Sequence, residues 1–218
     1  MIPAFSISIL TGVVLLQTPI AQALDFTDVP DGAWYATDVR MVADAGIMEG
    51  YRDVYGKPLN VFAPADPVTR AEFLKMVAVM MVFRYDFDRT IVRTGDWEGF
   101  YARIVEAKDP QLSMIMPIDR FSLNKAILRH EAAGLLHLGL GNYNAAPPND
   151  PPSFSDVTSD TPNFSAITEL HFYKVINGDG NTGRFEPNRT LNRAEAAKIL
   201  VKTAGSYQTP LGPGDKRF

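Results

Sequence analysis

The sequence contains no cysteine. Disulfide bonds and thiolate metal sites are therefore excluded, although the redox state of the surrounding compartment stays undetermined. No five like charges follow one another, and the net charge is -4. The broad basic surface that is typical of nucleic-acid binding is missing, so we predict no nucleic-acid partner.

Two short motifs resemble ligand sites and lack a required part. His130 and Glu131 begin like a zinc-protease helix, but Gly134 stands where the second histidine ligand is needed. The segment GDGNTG at 178–183 has the glycine spacing of a dinucleotide loop, but Pro187 follows where a helix must open. We predict neither a metal site nor a cofactor.

The first 23 residues contain no charged side chain and carry an apolar run from about Phe5 to Leu16. This run is shorter than the ~20 residues that span a bilayer, so we expect no transmembrane segment in the mature chain. Residues 21–23, Ala-Gln-Ala, have the small-x-small pattern of a signal-peptide cleavage site. A buried first helix is the alternative, and Pro19 disfavours it. We predict a signal peptide at 1–23 and export to the cell surface, cell wall or periplasm.

One spacing occurs three times along the chain. A Phe is followed after eight residues by an Arg and after ten by a Glu. The three sets are Phe62, Arg70 and Glu72; Phe121, Arg129 and Glu131; and Phe185, Arg193 and Glu195. Together with separators rich in Pro, Asn and Asp, they predict three units of about 60 residues. We assign the units to 24–84, 85–147 and 148–205, with 206–218 as a tail.

Each complete unit reads as two helices joined by a loop, which predicts an all-α fold. The first helices are indicated by apolar residues at helical spacing, namely Val39, Val42 and Ala43, and Ile167, Leu170 and Tyr173. We expect these helices to end at the glycine-containing turns 46–50 and 178–183.

The second helices begin at the repeated Arg. Thr69 with Glu72, and Asn192 with Glu195, have the spacing of a capping box. Leu128 stands at the cap position of the middle unit and cannot accept a hydrogen bond, so the middle unit is degenerate. Trp97 still suggests a first helix there.

These residues resemble the S-layer homology domain, which is usually found in threes in exported bacterial envelope proteins. Its motifs are Phe-x-Asp-Val, an aromatic near the first helix, Gly-Ile-x-x-Gly-Tyr, Phe-x-Pro and Thr-Arg-Ala-Glu. The first unit matches them at Phe26 to Val29, Trp34, Gly46 to Tyr51, Phe62 to Pro64 and Thr69 to Glu72. The third unit matches them at Phe154 to Val157, Val175 to Gly178, Phe185 to Pro187 and Asn192 to Glu195. The middle unit retains Trp97, Phe121, Arg129 and Glu131.

The resemblance implies a pseudo-threefold assembly of helix-loop-helix units. Grooves between such units bind an anionic cell-wall polysaccharide, often pyruvylated and attached to peptidoglycan, and the Arg of the last motif contacts the anion. The polymer-binding residues implied here are Arg70, Arg193 and Arg129, with Trp34, Thr69 and Asn192 beside them. An exposed Arg next to the unpaired N–H groups of a helix start suits a carboxylate or phosphate. Pairing of these arginines with the protein's own carboxylates is the alternative.

The sequence therefore predicts a non-catalytic anchoring module of the cell envelope. Two alternatives stay open. One is a protein-protein adaptor, in which the middle unit binds an envelope protein partner. The other is an envelope enzyme acting on glycan, with acids such as Glu106 and Asp119 in the middle unit.

Overall fold

The computed structural model describes residues 25–85, 110–140, 154–178 and 182–206. The helices in these ranges are α1 (Ala36–Asp44), α2 (Arg70–Tyr85), α3 (Pro110–Ile115), α4 (Arg120–Leu123), α5 (Arg129–Leu140), α6 (Phe164–Phe172) and α7 (Arg193–Ser206). Extended pairing within the described part of the chain is limited to isolated bridges, which agrees with the predicted all-α class. The predicted signal peptide, Trp97 and nearly all of the predicted tail lie outside the described residues.

The predicted first helices are present as α1 and α6. Both bury residues spaced by three and four, Val39, Val42 and Ala43 in α1, and Ile167 and Leu170 in α6. This spacing produces one apolar stripe along each helix. The stripe of α1 packs against α7, and α6 packs against α5, so each first helix rests on a second helix distant in sequence.

The two first helices end with the same backbone geometry but different residues. After α1, Gly46 has φ +66°, and the N–H groups of Ile47 and Met48 donate to the carbonyl of Val42. After α6, Lys174 takes the left-handed conformation with φ +59°. The predicted end of α6 at 178–183 is therefore wrong. Burial of the following Val175 and Ile176 holds this turn in a conformation that glycine adopts more readily.

The predicted capping boxes are formed. Thr69 Oγ1 accepts from the Glu72 N–H at 3.2 Å, and Glu72 Oε2 accepts from the Thr69 N–H at 2.8 Å. Asn192 and Glu195 make the same exchange at 2.8 and 3.2 Å. Before α5 only one of the two capping-box hydrogen bonds forms. The Leu128 N–H donates to Glu131 at 2.9 Å, but the Leu128 side chain offers no acceptor in return. Each complete cap stabilises its helix by about 1 kcal/mol.

The three loops that precede the second helices are joined by a closed ring of backbone hydrogen bonds. Val68 donates to Leu191 at 3.0 Å, Leu191 donates to Ile127 at 3.1 Å, and Ile127 donates to Val68 at 2.8 Å. Each of these residues lies two positions before its second helix, and all three are buried. The ring therefore fixes the starts of α2, α5 and α7 relative to one another.

Two aspartates shape the loops before α2 and α7. The Asp28 carboxylate accepts from the N–H groups of Phe62 and Ala63 at 2.8 and 2.6 Å. Asp156 accepts in the same way from Phe185 and Glu186 at 2.7 and 2.8 Å. In both loops the second N–H belongs to a residue with positive φ, 55° at Ala63 and 58° at Glu186. The carboxylate thus holds the loop in a conformation that disfavours a side chain.

The loop before α5 is built differently. Asp119 accepts from the Ser122 N–H at 3.0 Å and caps the short helix α4. Phe121 is 74% exposed, whereas Phe62 and Phe185 are 0% and 2% exposed. The shared spacing therefore does not give Phe121 the buried environment of Phe62 and Phe185, because α4 turns Phe121 outward. Leu123 is buried at this point of the loop instead.

Candidate functional site

The first two backbone N–H groups of α5 and of α7 are hydrogen-bonded to neighbouring loops. The N–H groups of Arg129 and His130 donate to the carbonyls of Arg189 and Pro187 at 2.9 and 3.0 Å. Arg193 and Ala194 donate to Asp66 and Pro64 at the same distances. The expectation that the backbone groups at these helix starts are unpaired is therefore wrong for the first two N–H groups of each helix, because neighbouring loops already occupy them.

Arg70 is buried in an ion pair. Its Nε and Nη2 lie 2.9 and 2.7 Å from the two carboxylate oxygens of Glu131, and Nη1 donates to the Ser122 carbonyl at 3.0 Å. Arg70 and Glu131 are 8% and 3% exposed. The predicted exposure of Arg70 is wrong, and the alternative of pairing with the protein's own carboxylate holds here. The cost of desolvating the two charges is offset by this two-point contact and by the hydrogen bond from the Leu128 N–H to Glu131.

Arg193 is buried as well, but its partners are carbonyl groups. Nε donates to Phe62 at 2.7 Å and Nη2 donates to Glu49 at 2.6 Å. The guanidinium carbon lies 4.6 Å from the centroid of the Phe62 ring and 5.1 Å from that of Tyr51. Arg193 is 5% exposed, so its predicted exposure is also wrong. The residue joins α7 to the loops of the first unit.

Arg129 repeats the Arg193 arrangement with one difference. Nε donates to the Phe185 carbonyl at 2.8 Å, Nη2 donates to the Asn177 carbonyl at 3.2 Å, and the guanidinium lies 4.6 Å from the Phe185 centroid. Nη1 is 3.8 Å from Glu195, beyond hydrogen-bond distance. Burial, followed by the charge of Arg189, lowers the pKa of Arg129 from its usual value. This guanidinium forms part of the wall of a groove.

The groove has a volume of about 380 Å³ and lies beside α7, and we call it the α7 groove. Its polar and aromatic lining consists of Trp34, Arg129, Asn177, Glu186, Arg189, Glu195, Lys198 and Lys202. Of the six predicted binding residues, the groove brings together Trp34 and Arg129. Arg70, Arg193, Thr69 and Asn192 do not line it.

One side of the groove combines two lysines of α7 with an aromatic ring that precedes α1. Lys198 and Lys202 stand one helical turn apart on α7, and the Lys198 ammonium lies 4.8 Å from the centroid of the Trp34 ring. Trp34 is 58% exposed. Burial, followed by the charge of Lys198, lowers the pKa of Lys202. Closely spaced cations beside an open aromatic face suit a ligand with an anionic group and an apolar ring surface.

Two carboxylates share the groove, and Arg189 holds both. Its Nη2 and Nη1 lie 2.6 and 3.1 Å from the two oxygens of Glu195, and its Nε donates to Glu186 at 3.0 Å. Burial alone raises the pKa of Glu195. Hydrogen bonds from Arg189 and from the Asn192 N–H, with the charges of Arg189 and Arg129, bring that pKa below its usual value. Glu195 is therefore ionised at neutral pH.

Sequence reasoning missed Arg189, Lys198, Lys202 and Asn177. The two lysines carry a usable signal, because residues four apart on a helix lie on the same face. Arg189 stands four residues before the Arg that begins α7, where the other units have Asp66 and Lys125. Asn177 contacts Arg129 through its backbone carbonyl, and its side-chain oxygen accepts from Lys202 Nζ at 2.8 Å once the amide is oriented to satisfy both of its ends.

The residues considered for other chemistry have structural partners. Asp119 caps α4, and hydrogen bonds from Ser122 lower its pKa, while Glu106 lies outside the described residues. His130 contacts Asn163 at 3.0 Å. In the four described segments no group of three metal-ligating side chains comes together. No helix among the described residues is both long enough and apolar enough to cross a bilayer.

Comparison with known proteins identifies the class of module. The family model of the S-layer homology domain matches residues 25–74 and 153–197, which correspond to the first and third predicted units. The predicted resemblance to this family is therefore confirmed for these two segments. Domains of this family are cell-wall anchoring modules that bind secondary cell-wall polymers, which associates the chain with the cell wall.

One relative illustrates the setting of such domains. The chain is similar to exoglucanase XynX of Acetivibrio thermocellus, with 25% identity over 190 residues and 83% of this chain covered. The match spans 16% of the length of that protein.

Proposed function

We propose that this chain is a non-catalytic anchoring module of the cell envelope that binds an anionic, peptidoglycan-linked polysaccharide in the α7 groove. The observation that carries the proposal is the composition of the groove. Arg129, Arg189, Lys198 and Lys202 meet there beside the exposed ring of Trp34, in a chain whose net charge is -4. Local cations can bind an anionic polymer in a net acidic protein, because charges more than ~10 Å away are screened at 0.1 M salt.

The ligand suited to this groove is a sugar that carries a carboxylate, such as a pyruvylated residue. The Lys198 ammonium lies over the exposed Trp34 ring, 4.8 Å from its centroid, so an anionic group and a sugar can be bound next to each other. Pyranose faces are apolar enough to cover exposed aromatic rings, and carboxylates accept charge-assisted hydrogen bonds from lysine and arginine. Both features favour an acidic glycan over a neutral one.

We also propose that three units are arranged around a pseudo-threefold axis. The closed ring formed by Val68, Ile127 and Leu191 supports this arrangement, since each residue holds the same position relative to its second helix. The inter-loop bonds of Arg70, Arg129 and Arg193 run from each unit to the next in the same order. In this arrangement the α7 groove lies where all three units meet.

Arg70, Arg193, Thr69 and Asn192 have a supporting role in the proposal. Thr69 and Asn192 cap α2 and α7, while Arg70 and Arg193 join neighbouring units. Direct polymer contacts are assigned to Trp34 and Arg129 among the six predicted residues. Export through a signal peptide at 1–23 belongs to the same proposal.

Co-sedimentation of the purified chain with isolated wall material tests the function. We expect retention by intact wall material, and loss of retention after acid extraction of the secondary polymers. Retention should also decrease as salt is raised, because the contacts are charged. Equal retention before and after extraction would contradict the proposal.

Matched variants locate the site. Trp34→Ala should reduce retention, whereas Tyr55→Ala, at a ring that is 92% exposed and outside the groove, should not. Lys198→Gln should likewise reduce retention relative to Lys57→Gln, a lysine exposed outside the groove. Equal effects of both members of either pair would exclude the α7 groove as the polymer site.

A further inference from the structure

Arg189 occupies a position where the three units differ. It stands four residues before the Arg that begins the second helix, and the corresponding residues are Asp66 in the first unit and Lys125 in the middle unit. The Glu three positions into each second helix is present in all units. In the first unit Glu72 bonds Thr69, and Arg193 bonds carbonyl groups instead of this Glu. The middle and third units both place an Arg of the preceding unit within 4 Å of the Glu, so these two units can be compared directly.

In the middle unit, Lys125 packs on an aromatic ring, and the Glu is bound by a different residue. Lys125 lies 4.4 Å from the centroid of the exposed Phe121 ring. Glu131 forms its two-point contact with Arg70 of the preceding unit, at 2.7 and 2.9 Å. The Arg that begins α2 is thereby closed off in an internal ion pair.

In the third unit, Arg189 binds the Glu directly. Arg189 contacts both oxygens of Glu195 at 2.6 and 3.1 Å, and Nη1 of Arg129 stays 3.8 Å from the same carboxylate. A planar guanidinium can hold both oxygens of a carboxylate at once, which a lysine ammonium cannot do in the same geometry. The contact therefore depends on arginine and not on charge alone.

We propose that Arg189 is a positioning residue for the polymer site: by holding Glu195, it keeps the Arg129 guanidinium available to the groove. Glu195 already lies 3.8 Å from Nη1 of Arg129, so it needs to move by less than 1 Å to reach hydrogen-bond distance, about 3 Å. Without the competing arginine, Glu195 closes on Arg129 as Glu131 closes on Arg70. This inference rests on the proposed function of the groove. It identifies Arg189 as the residue that keeps Arg129 from forming an internal ion pair like that of Arg70.

The test uses Arg189→Lys in the full chain, since this change keeps the charge and introduces the residue type of the middle unit. We expect about tenfold weaker binding to polymer-bearing wall material, the scale of one lost charged hydrogen bond. Adding Glu195→Gln should restore binding, because glutamine still caps α7 and has no charge to pair with Arg129. Arg184→Lys is the matched control, outside the groove, and should bind like the wild type. Wild-type binding by Arg189→Lys, or failure of the double variant to recover, would overturn the inference.

A measurement without polymer separates this inference from the proposed function. Side-chain ¹⁵N spectra of the arginines report exchange of the guanidinium hydrogens. In Arg189→Lys we expect slower exchange at Arg129, because Glu195 then binds it, and a return to wild-type exchange in the double variant. Unchanged exchange at Arg129 would refute the positioning role whether or not the wall material binds. Loss of wild-type retention alone would count against the proposed function only.

Discussion

The contact of Arg70 with Glu131 and the contact of Arg129 with Glu195 involve the same two motif positions, but the two contacts differ in distance and burial. In the first, both groups are buried and both carboxylate oxygens are bound by the arginine. In the second, the two groups stay 3.8 Å apart at the edge of a groove. The arginine and the glutamate are identical in type and position, so the difference must arise from their neighbours.

Those neighbours are the loops before α5 and α7. The loop before α5 contains α4 and turns Phe121 and Lys125 outward, away from Glu131. The loop before α7 is held by Asp156 and places Arg189 against Glu195. A repeated motif arginine can therefore form a buried ion pair in one unit and line a groove in another, depending on the loop that faces it.

Removing the carboxylate from each contact should reveal the largest difference between the two, measured as the loss in free energy of unfolding. Glu131→Gln keeps the shape and the bond from Leu128 but leaves the Arg70 charge buried without a carboxylate. We expect a loss of about 3–5 kcal/mol in the free energy of unfolding. Glu195→Gln should cost no more than about 1 kcal/mol, since Arg189 is exposed enough to be hydrated and screened. Urea denaturation of both variants measures the values, and equal losses would contradict the assignment of one contact as closed and one as open.

The loop before α7 provides a second test through Asp156. Asp156→Asn removes a carboxylate that accepts two backbone N–H bonds, and we expect a loss of about 1–2 kcal/mol at neutral pH. Asp160→Asn, at an exposed position of the same segment, is the matched control. Because Asp156 holds the loop that carries Arg189, the variant should also weaken retention by wall material.

The loss in Asp156→Asn should depend on pH. Burial raises the pKa of Asp156, but hydrogen bonds from the Phe185 and Glu186 N–H groups and from Arg184 bring it below its usual value. A lowered pKa stabilises the fold above the unfolded value of about 3.9, and this contribution disappears as the pH falls through the folded value. The difference between wild type and variant should therefore be constant above about pH 5 and shrink below about pH 4. A difference that grows in acid would contradict the role given to this carboxylate.

Much of the helical framework could be predicted from the sequence. The stripe of Val39 and Val42, and the capping boxes at Thr69 and Asn192, depend on neighbours within a few residues of each other. Such local patterns are visible in a single chain. The end of α6 was not predictable from its glycines, because the turn is held by burial of Val175 and Ile176 and not by the residue at its positive φ.

The candidate site was predictable only in part, because burial of its arginines depends on contacts between distant segments. Arg193 bonds Glu49, 144 residues away in the chain, and Arg70 bonds Glu131, 61 residues away. Nothing local distinguishes these arginines from Arg129. The lysines of α7 were open to prediction as a pair on one face, but their meeting with Trp34 requires the packing of α1 on α7.

The smallest expected effect is at Phe121, which shares the spacing of the buried Phe62 and Phe185 but has an exposed ring. Phe121→Ser removes a side chain that is 74% exposed and contacts Lys125, so the loss in free energy of unfolding should not exceed about 1 kcal/mol. Leu123→Ala in the same helix α4 should cost about 2–5 kcal/mol, because Leu123 is fully buried. Thermal unfolding of the two variants compares them directly. A larger loss for Phe121→Ser than for Leu123→Ala would place Phe121 in the core and make the loop before α5 equivalent to the loop before α7.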